Sequence, residues 1–324
     1  MTGARTLLLL DGLFDDLEVE TATAAEKGWR IDRWDRSDAG LRGVEAVLHV
    51  RTSIDRALLD RMPDCRVVAR FGTGLDTVDQ AATSERGIRV VGVRDYCIPE
   101  LATHTLGLAF ALDRRIDAAR DGRLALDATW QDVSSRLPIP GRIAATVIGL
   151  GSVGTAVTRA LLAMGVTVKV VTRHGSDLAR ALGATPVALD EGLADVGFVF
   201  LHTSLEKETA RMIDAERLRR MQSGTLLINT ARIGLLDEAA VASAIDSGNL
   251  GGAGLDAKLA PDSPLRRLST DPRLLVTPHI GWYSARSARE LRRRTVLAAI
   301  ASAESAETAQ PASAKSKETG NEYL

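Results

Sequence analysis

The stretch AATVIGLGSVGTAVTRALLAMGVTVKVV, residues 144–171, decides the fold. It opens on an apolar run that reads as a buried strand, and Gly149, Gly151 and Gly154 follow in the spacing GxGxxG. A helical pattern over Val153–Met164 comes next, then a second apolar run over Val166–Val171. Three glycines alone are a weak signal; set between a strand and a helix in a unit of this length they point to a dinucleotide. Gly149 permits the tight turn, Gly151 lets the backbone at Ser152 and Val153 approach a pyrophosphate, and Gly154 lets the helix close on the strand. The helix N-terminus favours the anion. The plainer alternative is a tight turn in an ordinary α/β protein.

The second strand ends VKVVTRHG, residues 168–175. A free ribose 2′-hydroxyl is normally met at this point by Asp or Glu. The residues here are Thr172, Arg173 and His174, and the first acid, Asp177, lies too far along. Arg173 suits a 2′-phosphate through charge-assisted hydrogen bonds. NADP(H) is therefore expected ahead of NAD(H), the alternative being a solvated Arg173 with no preference.

Working outward, short runs rich in Val, Ile and Leu at Thr6–Leu10, Trp29–Trp34, Ala46–Val50, Arg66–Arg70 and Arg89–Val93 read as strands. Helical stretches such as Ile54–Arg61 and Val78–Arg86 lie between them. This alternation predicts parallel sheets with helices on both faces. Residues 98–118 read as a long helix with Pro99 in its first turn, and a second alternating unit runs from about Ala144 to Ile280. A last helix is expected over Ala285–Ala301. The small, polar, charged tail 303–324 is expected to be disordered.

The 324 residues are 45% hydrophobic and 26% charged, with a formal charge of -1. Ample core is available, and no global charge points to nucleic acid or a membrane. Cys65 and Cys97 form no framework and no CxxC or other metal pattern is present, which fits a reducing, cytoplasmic setting without a metal. The four leucines near the start are too few, and too soon followed by acids, for a signal peptide. No apolar run reaches the length of a membrane span.

Further motifs follow in order: RFGTGLDTVD (70–79), RDYCIPELATHTLGLAFALDRRI (94–116), PGRIAATVIGLGSVG (140–154), LHTSLEKETARMID (201–214), LLINTARIGLLDEAAV (226–241), GGAGLD (251–256) and TPHIGWYS (277–284). In this order they resemble the D-isomer-specific 2-hydroxyacid dehydrogenases over about residues 5–302, and most of all the branch containing the C-terminal-binding proteins. The resemblance implies a Rossmann cofactor domain, 99–283, inserted into a flavodoxin-like substrate domain, 1–98 with 284–302. It also implies a homodimer and a small 2-keto or 2-hydroxy acid as substrate.

Reduction of a 2-keto acid needs a hydride, a cation for the carboxylate and carbonyl, and a proton donor. Arg232 follows the strand Thr225–Asn229, at the edge where open parallel sheets bind ligands. By resemblance it is the catalytic Arg; pairing with Asp237 or Glu238 at a helix start is the alternative. His279 follows the strand Leu274–Thr277, and Pro278 fixes its approach. An imidazole both gives and takes protons near neutrality. Of the five histidines (His49, His104, His174, His202 and His279) only the last stands in the family's TPH context. By the resemblance to the C-terminal-binding branch, Arg70 with the amides of Thr73 and Gly74 is the expected carboxylate clamp, against a surface Arg before a turn. Trp282 matches that branch's active-site Trp, against a packing role at the hinge. Asp256 matches a position that accepts from the nicotinamide carboxamide, against an Asp closing a strand-end turn.

The pattern breaks at GLDAKLAPDSPL, residues 254–265. In the family a Glu follows GLD shortly and contacts the catalytic His. Here the simplest alignment deletes a short run and the Glu with it. Asp262 could swing in, Asp256 could do so, or His279 works without a carboxylate. An imidazolium without that neighbour is a scarcer proton donor, so reduction slows, and in the extreme the scaffold serves as a cofactor-bound protein without dehydrogenase turnover, either a non-redox enzyme or a regulatory module. Ser204 stands where the family often has Pro. The basic run RSARELRRR (286–294) is expected on a solvated face or against a dimer mate.

Overall fold

The computed structural model describes residues 5–116 and 144–308. Its first elements are β1 (Arg5–Leu9), α1 (Glu18–Ala25), β2 (Trp29–Arg33), β3 (Ala46–His49), α2 (Arg56–Asp60), β4 (Val67–Arg70), α3 (Gln80–Glu85), β5 (Arg89–Gly92) and α4 (Ile98–Arg114). Then come β6 (Ala144–Ile148), α5 (Ser152–Ala163), β7 (Thr167–Val171), α6 (Ser176–Leu182), β8 (Thr185–Pro186), α7 (Leu189–Leu193) and β9 (Phe198–Leu201). The last are α8 (Ala215–Arg220), β10 (Thr225–Asn229), α9 (Glu238–Asp246), β11 (Leu250–Asp256), β12 (Leu274–Thr277) and α10 (Ala285–Thr308). Four short helices start on an aspartate whose side chain accepts from the first turn: Asp55, Asp79, Asp214 and Asp237.

The chain divides into two units, one from Met1–Tyr96 with Ser284–Leu324 and the other Cys97–Tyr283. The first holds a five-stranded sheet in the order β2-β1-β3-β4-β5, every pair parallel. This is the flavodoxin-like order. Its β3 is buried at all four positions, as a central strand covered on both faces must be. The second holds a seven-stranded parallel sheet, β12-β11-β10-β9-β6-β7-β8. The order reverses at β6, between β9 and β7, and such a switch point opens a crevice at the carboxyl ends of the strands.

Alternation along the central strands splits the core of this second unit in two. Val199, Leu201 and Leu227 pack with Val241 and Ile245 of α9, whereas Phe198, Phe200, Leu226 and Ile228 pack with α4 and α5. Both faces are thus covered, and the parallel α/β expectation holds.

Three expectations need correction. The last helix does not stop at Ala301 but runs to Thr308, so residues 303–308 are helical. Their Ala and Glu content carries helix propensity that a reading by polarity undervalues; residues 309–324 lie outside the described set. The helix from Ile98 ends at Arg114, with Arg115 in the left-handed region at φ 54°. The basic run is not wholly solvated: Arg292 is buried and donates from Nε to Glu20 at 2.7 Å and from Nη2 to Asp16 at 2.6 Å, tying α10 to α1. Cys65 and Cys97 are buried and form no disulfide. Among the described residues no helix is long and apolar enough to cross a membrane.

Candidate functional site

The glycine loop leaves β6 with Gly149 at φ +97°. A Cβ there would lie 2.5 Å from the carbonyl oxygen of His202, so only glycine fits. A Cβ on Gly154 would lie 2.0 Å from the Gly149 oxygen, which explains why α5 can close on the loop. A Cβ on Gly151 meets nothing within 4 Å. Gly151 is thus not needed for packing, and its bareness keeps open space above the first turn of α5. No side chain caps that turn, where Ser152 and Val153 begin the helix. Bare amides, a helix N-terminus and an open approach fit a pyrophosphate.

After β7, the Thr172 hydroxyl accepts from the Gly175 amide at 3.1 Å, closing a turn that carries Arg173 and His174 on its exposed side. Arg173 does not stand alone: its Nη2 donates to Glu206 Oε2 at 2.8 Å. That hydrogen bond raises the Arg173 pKa further above its usual value. Sequence reading looked for an acid along the same strand and missed Glu206, which arrives from the loop after β9.

Arg232 caps the 3-10 turn Ile233–Leu235 just after β10. Asn229, buried at the strand end, holds this turn: its Nδ2 donates to the Arg232 carbonyl at 2.8 Å and its Oδ1 accepts from the Ala231 amide at 3.0 Å. Thr230 and Thr105 share a hydroxyl hydrogen bond of 2.8 Å that ties the turn to α4. The two acids weighed as partners of Arg232 are engaged elsewhere. Asp237 pairs with Arg211 and caps α9, and Glu238 accepts from the Ser263 hydroxyl.

His279 sits in the left-handed region at φ 61°. A non-glycine residue rests there at a cost of about 1 kcal/mol, so the surroundings must hold it. Asp256, only 2% exposed at the end of β11, does so. Its Oδ1 accepts from the Ile280 amide at 2.8 Å and the Thr277 hydroxyl at 2.7 Å, and its Oδ2 from the Gly281 amide at 2.8 Å. One carboxylate therefore grips the loop on both sides of His279. The Thr277 hydroxyl gives its single proton to Asp256, so the 2.8 Å contact from His104 Nε2 must be donated by the ring. His104 Nε2 also lies 3.7 Å from Asp256 Oδ1. A Cβ on Gly281 would collide with His104 at 2.8 Å and Asp256 at 2.9 Å, which requires glycine there.

The His279 ring has one polar neighbour among the described residues, the backbone carbonyl of Asp256, 3.3 Å from Nδ1. Asp262 is exposed, and among the described residues no hydrogen bond or ion pair joins it to the ring. Trp282 stacks edge-on against Tyr283, ring centroids 5.5 Å apart. His202, beneath the glycine loop, has a buried Nε2 without a partner, and burial pushes its pKa down to about 4.

In the other unit, Arg70 ends β4, and Gly72 follows at φ +133° with its would-be Cβ 2.8 Å from Arg70 Nη1. The Thr73 hydroxyl donates to the Val93 carbonyl at 2.9 Å, so the 72–74 loop is anchored on β5's end. Gly74 is half-buried beside it. Asp11, which sequence reading passed over, accepts from the amides of Val50 at 2.9 Å and Arg51 at 2.7 Å. Burial, the largest single influence, works to raise its pKa, but the amides of Val50, Arg51 and Thr52 together with the Thr52 hydroxyl lower it. Buried His49 makes one contact, Nδ1 to the Thr52 carbonyl at 3.0 Å, and leaves Nε2 without a partner.

A family model described as "D-isomer specific 2-hydroxyacid dehydrogenase, NAD binding domain" matches residues 106–281. D-3-phosphoglycerate dehydrogenase of Mycobacterium bovis is 36% identical over 283 residues, 85% of this chain and 52% of that protein. The chain thus spans about half the length of such relatives. Glycerate dehydrogenase of Methylorubrum extorquens is 33% identical over 265 residues, 79% of this chain and 82% of that protein. The TT0316 protein from Thermus thermophilus superposes with a TM-score of 0.78 at 30% identity, covering 93% of this chain and 97% of that one. D-lactate dehydrogenase from Aquifex aeolicus, complexed with NAD and lactic acid, gives 0.81 at 24% identity over 93% and 96%, a likeness of fold. The two named relatives are a phosphoglycerate and a glycerate dehydrogenase rather than C-terminal-binding proteins.

Proposed function

The chain belongs to the D-isomer-specific 2-hydroxyacid dehydrogenase family, and from that premise we propose an oxidoreductase that interconverts a small 2-keto acid and its D-2-hydroxy acid. A nicotinamide dinucleotide, when bound, supplies or takes the hydride. The open glycine loop holds its pyrophosphate, through the amides at Ser152 and Val153. Arg232 presents a planar guanidinium that grips the carboxylate and polarises the neighbouring carbonyl. Asn229 fixes the backbone of its turn, and Arg232 Nη1 donates to the Ala231 carbonyl at 3.0 Å. His279 moves the proton. With Nδ1 turned to the Asp256 carbonyl, Nε2 is the nitrogen left for the substrate oxygen. Arg70, with the amides of Thr73 and Gly74, remains the carboxylate-binding group proposed for the first unit, and Trp282 is proposed to shape the pocket for the substrate's side chain.

The observation that carries this reading is the grip of Asp256 on the loop of His279. A strained histidine held by a buried carboxylate is expected where proton transfer demands a fixed ring. In the same proposal, 257–265 is a segment from which the family's Glu is lost, the His279 ring meeting a backbone carbonyl instead. The Asp256 carboxylate serves the loop, and its carbonyl serves the ring. The cofactor-side role first expected of Asp256 then becomes secondary to holding the loop. NADP(H) was the cofactor suited to a free Arg173; the Glu206 contact favours NAD(H), with NADP(H) accepted when the pair opens. A homodimer is part of the same proposal.

The test is oxidation of NADH by a panel of 2-keto acids: glyoxylate, pyruvate, hydroxypyruvate and its 3-phosphate. At least one is expected to turn over, and His279→Ala and Arg232→Ala each to lower kcat/KM by about 100-fold or more. Tight cofactor binding with no turnover on any member would favour a cofactor-bound protein of another use.

A further inference from the structure

The reading of a nicotinamide dinucleotide site leaves one feature over. The position that normally carries the ribose acid holds Arg173 instead, yet a carboxylate is there all the same, borrowed from a different strand. We propose that Glu206 is the cofactor-selecting residue of this chain, restraining Arg173 and standing in for the missing ribose acid. The inference rests on the dinucleotide reading above and names which form of that cofactor the site accepts.

Placement comes from the sheet. Strands β7 and β9 flank β6, so the loops at their carboxyl ends lie on either side of the glycine loop. Arg173 comes from the first and Glu206 from the second, 33 residues apart in sequence and 2.8 Å apart in space. Glu206 is also held by its own loop. The Thr209 hydroxyl accepts from the Glu206 amide at 2.8 Å and donates to the Ser204 carbonyl at 2.7 Å, and the Ala210 amide returns to the Glu206 carbonyl at 2.9 Å. Leu205, next in line, packs against Gly234 in the turn beyond Arg232. The backbone of Glu206 is therefore set, and Glu208 adds a second negative charge that acts on Arg173.

The consequences differ for the two cofactors. A ribose with a free 2′-hydroxyl finds an acceptor in Glu206. A 2′-phosphate needs the guanidinium whose Nη2 Glu206 already engages, and it meets carboxylate charge as it arrives. Both side chains are substantially exposed, 62% for Arg173 and 41% for Glu206, so the pair opens readily and the discrimination is graded. Glu206 sets its size.

The test is calorimetric binding of NADH, NADPH, 5′-AMP and adenosine 2′,5′-bisphosphate to the full chain and to Glu206→Gln, Arg173→Ala and the double variant. Glu206→Gln is expected to shift the affinity ratio toward the 2′-phosphorylated ligands by about tenfold. Arg173→Ala shifts it the other way, and in the double variant the effect of removing Glu206 shrinks because the fork it restrained is gone. Unchanged melting temperatures show that the exposed substitutions leave the fold intact. Ligands that bind with a ratio indifferent to Glu206 would overturn the inference while leaving the dinucleotide site standing. Failure of all four ligands to bind the unaltered chain would overturn both.

Discussion

At residue scale the site turns on Asp256. Its two oxygens take three donors from the segment that bears His279, and the left-handed backbone of His279 persists because those bonds hold it. Replacing Asp256 by Ala strands the buried Gly281 amide and the part-buried Ile280 amide. It should lower stability by about 3 kcal/mol and take kcat down with it, as calorimetry and steady-state rates can check. Thr277→Val is the gentler probe. It removes the hydroxyl that relays between His104 and Asp256, and should cost about 1–2 kcal/mol and reduce kcat while dinucleotide affinity stays unchanged. An equal fall in affinity would mean that the loop serves the cofactor rather than the ring.

At the scale of elements, the glycine loop separates folding from binding. Gly154→Ala places a methyl 2.0 Å from the Gly149 oxygen, so α5 must move off β6, with a loss of about 3 kcal/mol or more and of dinucleotide binding. Gly151→Ala meets nothing and should melt like the unaltered chain, yet bind dinucleotide about tenfold more weakly because its methyl fills the pyrophosphate approach. This element was legible in sequence because strand, loop and helix are contiguous. The positions of Arg232 and His279, each just after an apolar strand, were legible for a related reason, while the roles proposed for them came from the resemblance. The partners were not. Asp256 reaches Thr277 and Gly281 only because β11 pairs with β12, and Glu206 reaches Arg173 only because β9 and β7 flank β6. Such contacts depend on strand order, which motif spacing does not encode. That the stretch after GLD departs from the family's pattern was visible, but that a carbonyl would face the ring was not.

For the whole molecule, each unit carries a histidine kept neutral. Burial, aided by the charge of Arg70, pushes the His49 pKa down from 6.5 to about 4, and burial alone does the same for His202. The unfolded chain takes up those protons first, so the stability from each neutral ring is complete above about pH 6.5 and is lost as pH falls toward 4. The contribution of His49 is about 3 kcal/mol at most. Melting temperatures should fall across that window, and His49→Gln should flatten the fall for the first unit; a profile flat from neutrality to pH 4 would contradict it. The central claim, hydride transfer to a keto acid with His279 giving the proton, is tested most directly with deuterium. NADH labelled at C4 on the transferring face is incubated with the enzyme and each keto acid, and the product is read by NMR and chiral chromatography. The account predicts deuterium at C2 of the D-hydroxy acid, abolished by His279→Ala. A cofactor that binds tightly but leaves no label on any acid, or label retained in full by His279→Ala, would contradict it.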